Sequence, residues 1–196
     1  MLRALLLCGV GGQGLIAAGR VLGWALLEEG YYVRVAEIHG LSQRGGSVIV
    51  HIKFSDSEDI APTIPLGGAN AVIALELIES VRALRYLRRD GVLLVNDLLL
   101  PPPAFPKPPS RESVVGYLKE NGVKYYLLRA SEVAKDLGAP YVANTVMIGA
   151  AYEAGLVPVA ESVMERAIRT ALPRAHELNI KAFKAGRKLW RCSALD

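Results

Sequence analysis

A chain of 196 residues with 52% hydrophobic and only 21% charged residues has the length for a proper core and the composition of a packed globule, not of a disordered tail. The net charge of +4 is spread along the chain without a dense basic tract, which argues against a nucleic-acid partner. Cys8 and Cys192 are the only cysteines, too few for a four-thiolate cluster or a Cys₄ zinc site, and no nearby histidines complete a mixed one; no metal site is expected, and both thiols are read as reduced, in a cytoplasmic protein.

"MLRALLLCGV" superficially resembles a signal peptide, but it passes directly into "GVGGQG", and no stretch reaches the roughly 20 apolar residues of a membrane span. Residues 5–10 are therefore expected to form a buried parallel strand, and no membrane partner is expected. Residues 14–29 place Leu15, Ala18, Val21, Leu22, Ala25 and Leu26 on one helical stripe ended by Gly30. Gly19 and Gly23 on that helix point to close packing on a sheet or a subunit. A strand over 32–37 follows. Residues 47–54 alternate, with Val48, Val50, Ile52 and Phe54 on one face and Ser47, His51 and Lys53 on the other; this predicts a strand with one face less buried, antiparallel to its predecessor.

Beyond an irregular stretch, "APTIPLGG", the pattern predicts a strand (71–75), a helix (78–89) and a strand (92–96). Six prolines among the eleven residues of "LPPPAFPKPPS" forbid helix and ladder alike, so this is a stiff exposed loop. A helix (111–121), a strand (125–129) and a short helix from Glu132 alternate again, and three helices run from Asn144 onward. Such alternation predicts a three-layer α/β/α sandwich, a mostly parallel, Rossmann-like sheet with a helical C-terminal extension, all in one domain over 1–196.

"GVGGQG" supplies Gly9, Gly11 and Gly14 at dinucleotide spacing, after a strand and opening a helix. Glycines there let the backbone turn tightly and approach a diphosphate that the helix N-terminus stabilises. The confirming acidic residue about 20 positions on is missing, since Glu37 lies later than that. Tight strand–helix packing is the competing explanation of the glycines. Gly12 and Gln13 fit neither automatically, and the amide suggests a specific hydrogen-bonding task. The loop "EIHGLSQRGGS" is richer than a chain reversal needs. Gly45 and Gly46 permit close approach to a partner or ligand, Arg44 offers a fork for carboxylate or phosphate, and His39 and Gln43 offer neutral or switchable hydrogen bonds. The plain alternative is an Arg44–Glu37 pair that pins the loop. Lys181, Lys184, Lys188 and Arg191 share a helix face, read as solvated, with docking of acidic ferredoxin or coenzyme A phosphates as the alternative. Asn144 with Gly149, Ala150, Ala151 and Ala154 suggests a capped, tightly packed helix, and Asn144 is also a candidate for the ligand cleft.

Together, "GVGGQG" and "EIHGLSQRGGS" resemble the small subunit of 2-oxoacid:ferredoxin oxidoreductases, with the indolepyruvate branch the nearest. "IPLGGANAVIALE", "NTVMIGAAYEAGLVP" and a terminal helix with Asn179, Phe183 and Gly186 extend the resemblance over essentially the whole chain. Relatives acting on other acids more often carry tyrosine at the position of His39 and glutamate at that of Gln43; Leu41, where methionine is common, is a mild departure. The resemblance implies a non-redox subunit of a complex that decarboxylates an aryl 2-oxoacid, passes electrons to ferredoxin and transfers the acyl group to coenzyme A. Thiamine diphosphate, Mg²⁺ and the [4Fe–4S] clusters are implied on a larger partner chain, ferredoxin is implied as an indirect partner, and the isolated chain is expected to be inactive. Gly9, Gly11, Gly12, Gln13, Gly14, His39, Gln43, Arg44, Gly45, Gly46 and Asn144 are the candidate ligand-binding residues, with coenzyme A the candidate ligand; no catalytic residue is assigned. The rival expectations are a free-standing NAD(P)-binding oxidoreductase and an assembly module without a ligand.

Overall fold

The computed structural model describes residues 3–41, 45–57, 60–102 and 107–193. Six strands form one sheet in the order β2-β3-β1-β4-β5-β6. They are β1 (Arg3–Val10), β2 (Tyr32–His39), β3 (Ser47–Ser55), β4 (Ala69–Ala74), β5 (Leu87–Asn96) and β6 (Tyr125–Leu128). β4 is parallel to β1, β5 to β4 and β6 to β5. β3 is antiparallel to both β1 and β2, as the short connection between β2 and β3 requires.

The helices are α1 (Leu15–Glu28), α2 (Leu77–Ala83), α3 (Arg111–Glu120), α4 (Ala130–Asp136), α5 (Ala143–Glu153), α6 (Glu161–Ala171) and α7 (His176–Ser193). Side chains of β1 alternate between two cores, as a strand covered on both faces must. Leu5 and Leu7 point into the larger core with α1, α5, α6 and α7, whereas Leu6 and Cys8 join the smaller one with α2 and α3. The three layers of the sandwich follow, and the α1 stripe of Leu15, Ala18, Val21, Leu22, Ala25 and Leu26 is buried throughout. Gly19 and Gly23 pack on the sheet, where a Cβ would press on Val50 at 2.8 Å and Val35 at 3.1 Å respectively.

Four expectations need correction. The helix expected over 78–89 stops at Ala83; a 3₁₀ turn, Leu84–Tyr86, then leads into β5, which starts at Leu87. α4 begins at Ala130, ahead of Glu132. Asn144 is the second residue of α5 and not its cap, because α5 begins at Ala143. The polar face of β3 is covered, not less buried: His51 is 1% and Lys53 6% exposed. The irregular segment at 61–68 accounts for this. Ile64 N–H donates to His51 Nδ1 at 3.1 Å, Lys53 Nζ donates to the Thr63 carbonyl at 3.3 Å, and Tyr86 stands edge-on to the imidazole.

α5 and α7 meet backbone to backbone. A Cβ on Gly186 would collide with the carbonyl of Val146, and one on Gly149 with that of Phe183. Exposed pairs such as Lys184–Glu165 and Arg166–Glu28 contribute at most about 1 kcal/mol each. The helical layer is held by this contact and its apolar surroundings, together with the half-buried Arg187, which bridges Glu153 on α5 and Glu161 on α6. Gly186→Ala is expected to cost roughly 3 kcal/mol by overpacking against rigid backbone. Gly116→Ala in α3, where a Cβ meets nothing within 4 Å, should gain up to about 1 kcal/mol of helix propensity; urea unfolding of the two variants reads both signs.

His51 supplies a second test. Burial lowers its pKa, and because Nδ1 accepts from Ile64, Nε2 carries the hydrogen, without a hydrogen-bond partner among the described residues. The folded state keeps this ring neutral while the unfolded chain takes up a proton below about pH 6.5, so stability is full above that value and is lost as pH falls. Unfolding free energy measured from pH 7.5 to 5 is expected to decline in the wild type, with a visibly shallower slope in His51→Leu.

Candidate functional site

β1 is the point at which the sheet changes its winding: the chain leaves β1 for β2 on one side, and β4 lies on the other. Open α/β sheets leave a crevice at the C-terminal ends of the strands flanking such a point. Here that crevice is bounded by the turn at 11–14, the start of β3, the residues after β4 and β5, and the entries to α4 and α5.

Gln13 forms its floor. Its Oε1 accepts from Val10 N–H at 2.7 Å and its Nε2 donates to the Leu75 carbonyl at 3.0 Å. The same carbonyl accepts from Asn96 Nδ2 at 3.1 Å, and Asn96 also donates to Ser131 Oγ and accepts from Ser131 N–H. The ends of β1, β4 and β5 and the start of α4 are thereby tied together. Gly9 has to be glycine because Gln13 folds back over it, leaving only 2.5 Å between Oε1 and an added Cβ.

Gly14 is the N-cap of α1 with φ 75°, and no side chain among the described residues caps the helix. Asn144 explains its lack of a side chain: Nδ2 donates to the Gly14 carbonyl at 3.0 Å and occupies the space a Cβ would need. Asn144 Oδ1 accepts from Thr145 N–H, Thr145 Oγ1 donates to Asn179 Oδ1 at 2.6 Å, and Asn179 Nδ2 donates to the Ala175 carbonyl. The start of α1 is thus braced against α5 and α7. Gly12, with φ 104° and open space around it, is the glycine of the turn that faces the crevice.

The second loop packs onto the first. Gly11 N–H donates to the Gly46 carbonyl at 2.8 Å, and Gly45 N–H reaches the Gly11 carbonyl at 3.4 Å. Ser47 Oγ donates to Glu79 Oε2 at 2.5 Å, and Glu79 also receives Arg82 at 2.6 Å. Beside it, Glu76 caps α2, accepting from Glu79 N–H, and holds Leu100 N–H at 2.9 Å. Burial raises the Glu76 pKa, against the lowering by its backbone hydrogen bonds. Burial, then the charges of Glu79 and Glu76, push the Cys8 thiol well up, so it stays protonated. His39 lines the hollow at the glycine turn, and its Nδ1 donates to the Gly40 carbonyl at 3.1 Å. Gln43 and Arg44 lie outside the described residues.

Three hollows adjoin this floor. One of about 430 Å³ is lined by Gly11, Gly12, Gly14, Ile16 and His39. A second, of about 330 Å³, runs from Gln13 and Asn96 to Lys135 and Tyr141. A third, of about 510 Å³, joins Gly12, Gly14, Tyr141 and Asn144 to Arg174. Glu37 lines a separate groove along α1, away from the glycine turn, so it is not placed to hold the ribose of a dinucleotide there. Sequence reasoning passed over Tyr141, Lys135, Arg174, Asn96 and Glu79. The one local signal was Glu76-x-x-Glu79 ahead of an apolar run, the spacing of a reciprocal helix cap.

A glycine turn and an uncapped helix start thus lie at the switch point of a Rossmann-like sheet, with a second glycine loop laid against them. Residues 4–189 match the pyruvate ferredoxin/flavodoxin oxidoreductase family, and the chain belongs to that family. It is 35% identical over 191 residues to the indolepyruvate oxidoreductase subunit IorB of Pyrococcus horikoshii, covering 94% of each chain. The gamma subunit of the keto/oxoacid ferredoxin oxidoreductase from Geobacter sulfurreducens superposes with a TM-score of 0.73 at 27% identity, over 97% of this chain and 99% of that one. The fold recurs, at 17% identity and a TM-score of 0.75, within 31% of a longer chain: the 2-oxoglutarate:ferredoxin oxidoreductase of Magnetococcus marinus, a structure holding 2-oxoglutarate, coenzyme A and succinyl-CoA.

Replacing Gln13 by Leu removes the partner of the Val10 amide while leaving Asn96 on the Leu75 carbonyl. A loss of about 1–3 kcal/mol is expected, the cost of one orphaned, partly buried donor, read as a lowered urea midpoint with unchanged slope.

Proposed function

We propose that this chain is the small, non-redox subunit of a 2-oxoacid:ferredoxin oxidoreductase of the indolepyruvate type. In this reading a larger chain carries thiamine diphosphate, Mg²⁺ and the iron–sulfur clusters, and the present chain completes the active site and helps to bind coenzyme A. The overall reaction is oxidative decarboxylation of an aryl 2-oxoacid to its acyl-CoA, with electrons passed to ferredoxin. End-to-end similarity to an indolepyruvate oxidoreductase subunit supports the substrate class.

The observation that carries the coenzyme A assignment is the chemistry of the crevice. The first amides of α1 lack a side-chain cap and favour an anion. Lys135 and Arg174 flank the exposed Tyr141 across two adjoining hollows, and neither cation has an ion-pair partner among the described residues. Phosphates at the helix start and cations, with a base stacked on Tyr141, satisfy this set of groups. Coenzyme A supplies all of them when bound; Gln13, Asn96 and Asn144 hold the walls in place.

The test uses the complex purified anaerobically after co-expression of both subunits. Lys135→Ala and Arg174→Ala are each expected to raise KM for coenzyme A about tenfold, since a hydrogen bond to a charged group is worth about 1.5 kcal/mol. The KM for indolepyruvate should stay at its wild-type value. Unchanged coenzyme A kinetics in both variants would refute the assignment and favour an assembly subunit without a ligand.

A further inference from the structure

We propose that the open edge of β2, with the adjoining outer face of α1, is the surface on which the larger catalytic subunit docks by adding a strand to the sheet. This rests on the functional reading above and names the face of the chain that makes the contact. β2 ends the sheet and, among the described residues, pairs only with β3, over eight residues without a register shift. The opposite end strand, β6, has only four residues. A long, regular, free edge invites another strand, and soluble monomers blunt such edges with prolines, bulges or several charges. β2 has no proline and no bulge, and its only two charged residues are Arg34 and Glu37.

The flanks of this edge are apolar on both sides. Of the ten exposed large hydrophobic residues among those described, six (Trp24, Leu27, Tyr32, Val35, Ile38 and Leu41) belong to α1, β2 or the loop that follows. On the α1 side, Trp24 and Leu27 stand over Val33 and Val35 in a groove of about 480 Å³ with Arg20 and Glu37 at its rim. Tyr32 and Ile38 project from the other face. Concentration of apolar surface of this kind marks an interface. It also runs on into the candidate site, because Leu41 is fully exposed just beyond His39, which lines the hollow at the glycine turn. An occupant of β2 therefore reaches the crevice, as a subunit that shares the active site must.

A second copy of this chain fits poorly in any register that pairs more than three residues of the strand. Two-fold antiparallel pairing keeps each side chain on its own face, so the dyad falls on a residue that pairs with its own copy. Centred on Arg34 or Glu37, it opposes like charges. Centred on Val35 or Ala36, it sets Glu37 against Val33 or Val35 of the copy, under Trp24 and Leu27. A non-identical strand escapes this conflict by presenting apolar residues to Val33 and Val35 and a basic residue to Glu37.

The experiment compares the isolated chain with the complex formed on co-expression with the thiamine-diphosphate-binding subunit. Amide exchange across residues 32–39 is expected to slow at least tenfold in the complex. Val35→Lys and Trp24→Glu, at residues 39% and 50% exposed, should keep the wild-type melting temperature yet weaken binding of the larger subunit at least tenfold. Tyr117→Lys on α3, 47% exposed, should bind as the wild type does. Wild-type binding by both edge variants, or unslowed exchange at 32–39 in an active complex, overturns the docking surface and leaves the function standing. A concentration-dependent dimer of the isolated chain that protects 32–39 reassigns the edge to a second copy. A wild-type chain that fails to bind the larger subunit at all overturns both proposals.

Discussion

Two side-chain amides, from Gln13 and Asn96, converge on the carbonyl oxygen of Leu75, and the crevice takes its shape from that meeting. At the end of a parallel strand the last carbonyls have no neighbour to pair with, and a buried unpaired carbonyl is costly. Capping it with side chains from the two flanking strand ends satisfies the group and locks three strands and a helix entry into one rigid rim. The glycine turn and the second loop, held through Gly11 and Gly46, are then placed by that rim.

The same economy explains the glycines. Gly9 and Gly14 have no side chain because Gln13 and Asn144 occupy the space, which makes part of the dinucleotide-like spacing a packing requirement. Within the turn, Gly12 is left facing open space with a positive φ. Packing at two glycines and an open turn are thus compatible here: the helix start stays uncapped and open beside the third.

The C-terminal helices extend this brace. The Asn144–Thr145–Asn179 chain of hydrogen bonds starts at the carbonyl of Gly14 and ends in α7, while Gly149 and Gly186 let α5 and α7 approach closely enough for the chain to form. Of the basic face on α7, Lys184 pairs with Glu165 and Arg191 with Glu153, while Lys181 and Lys188 face solvent. The cations that reach the crevice are instead Lys135, at the end of α4, and Arg174, in the connection before α7.

Local pattern determined the order of elements, the mostly parallel sheet, the buried stripe of α1 and the glycine turn, because periods of two and 3.6 residues and strand–glycine–helix succession are properties of neighbouring residues. It also marked Gln13 and Asn144 as polar residues with a specific task, without showing that each is committed to a backbone partner. Tertiary structure alone decided the remainder. His51 and Lys53 look like a solvent face until a segment ten or more residues away folds over them. α2 ends early because β5 extends back to Leu87, where it pairs with Ala69. Tyr141, Lys135 and Arg174 come from separate connections and meet only once the sheet and the helical extension have packed. No spacing within the chain announces such a meeting, since contacts across packed layers carry no sequence period.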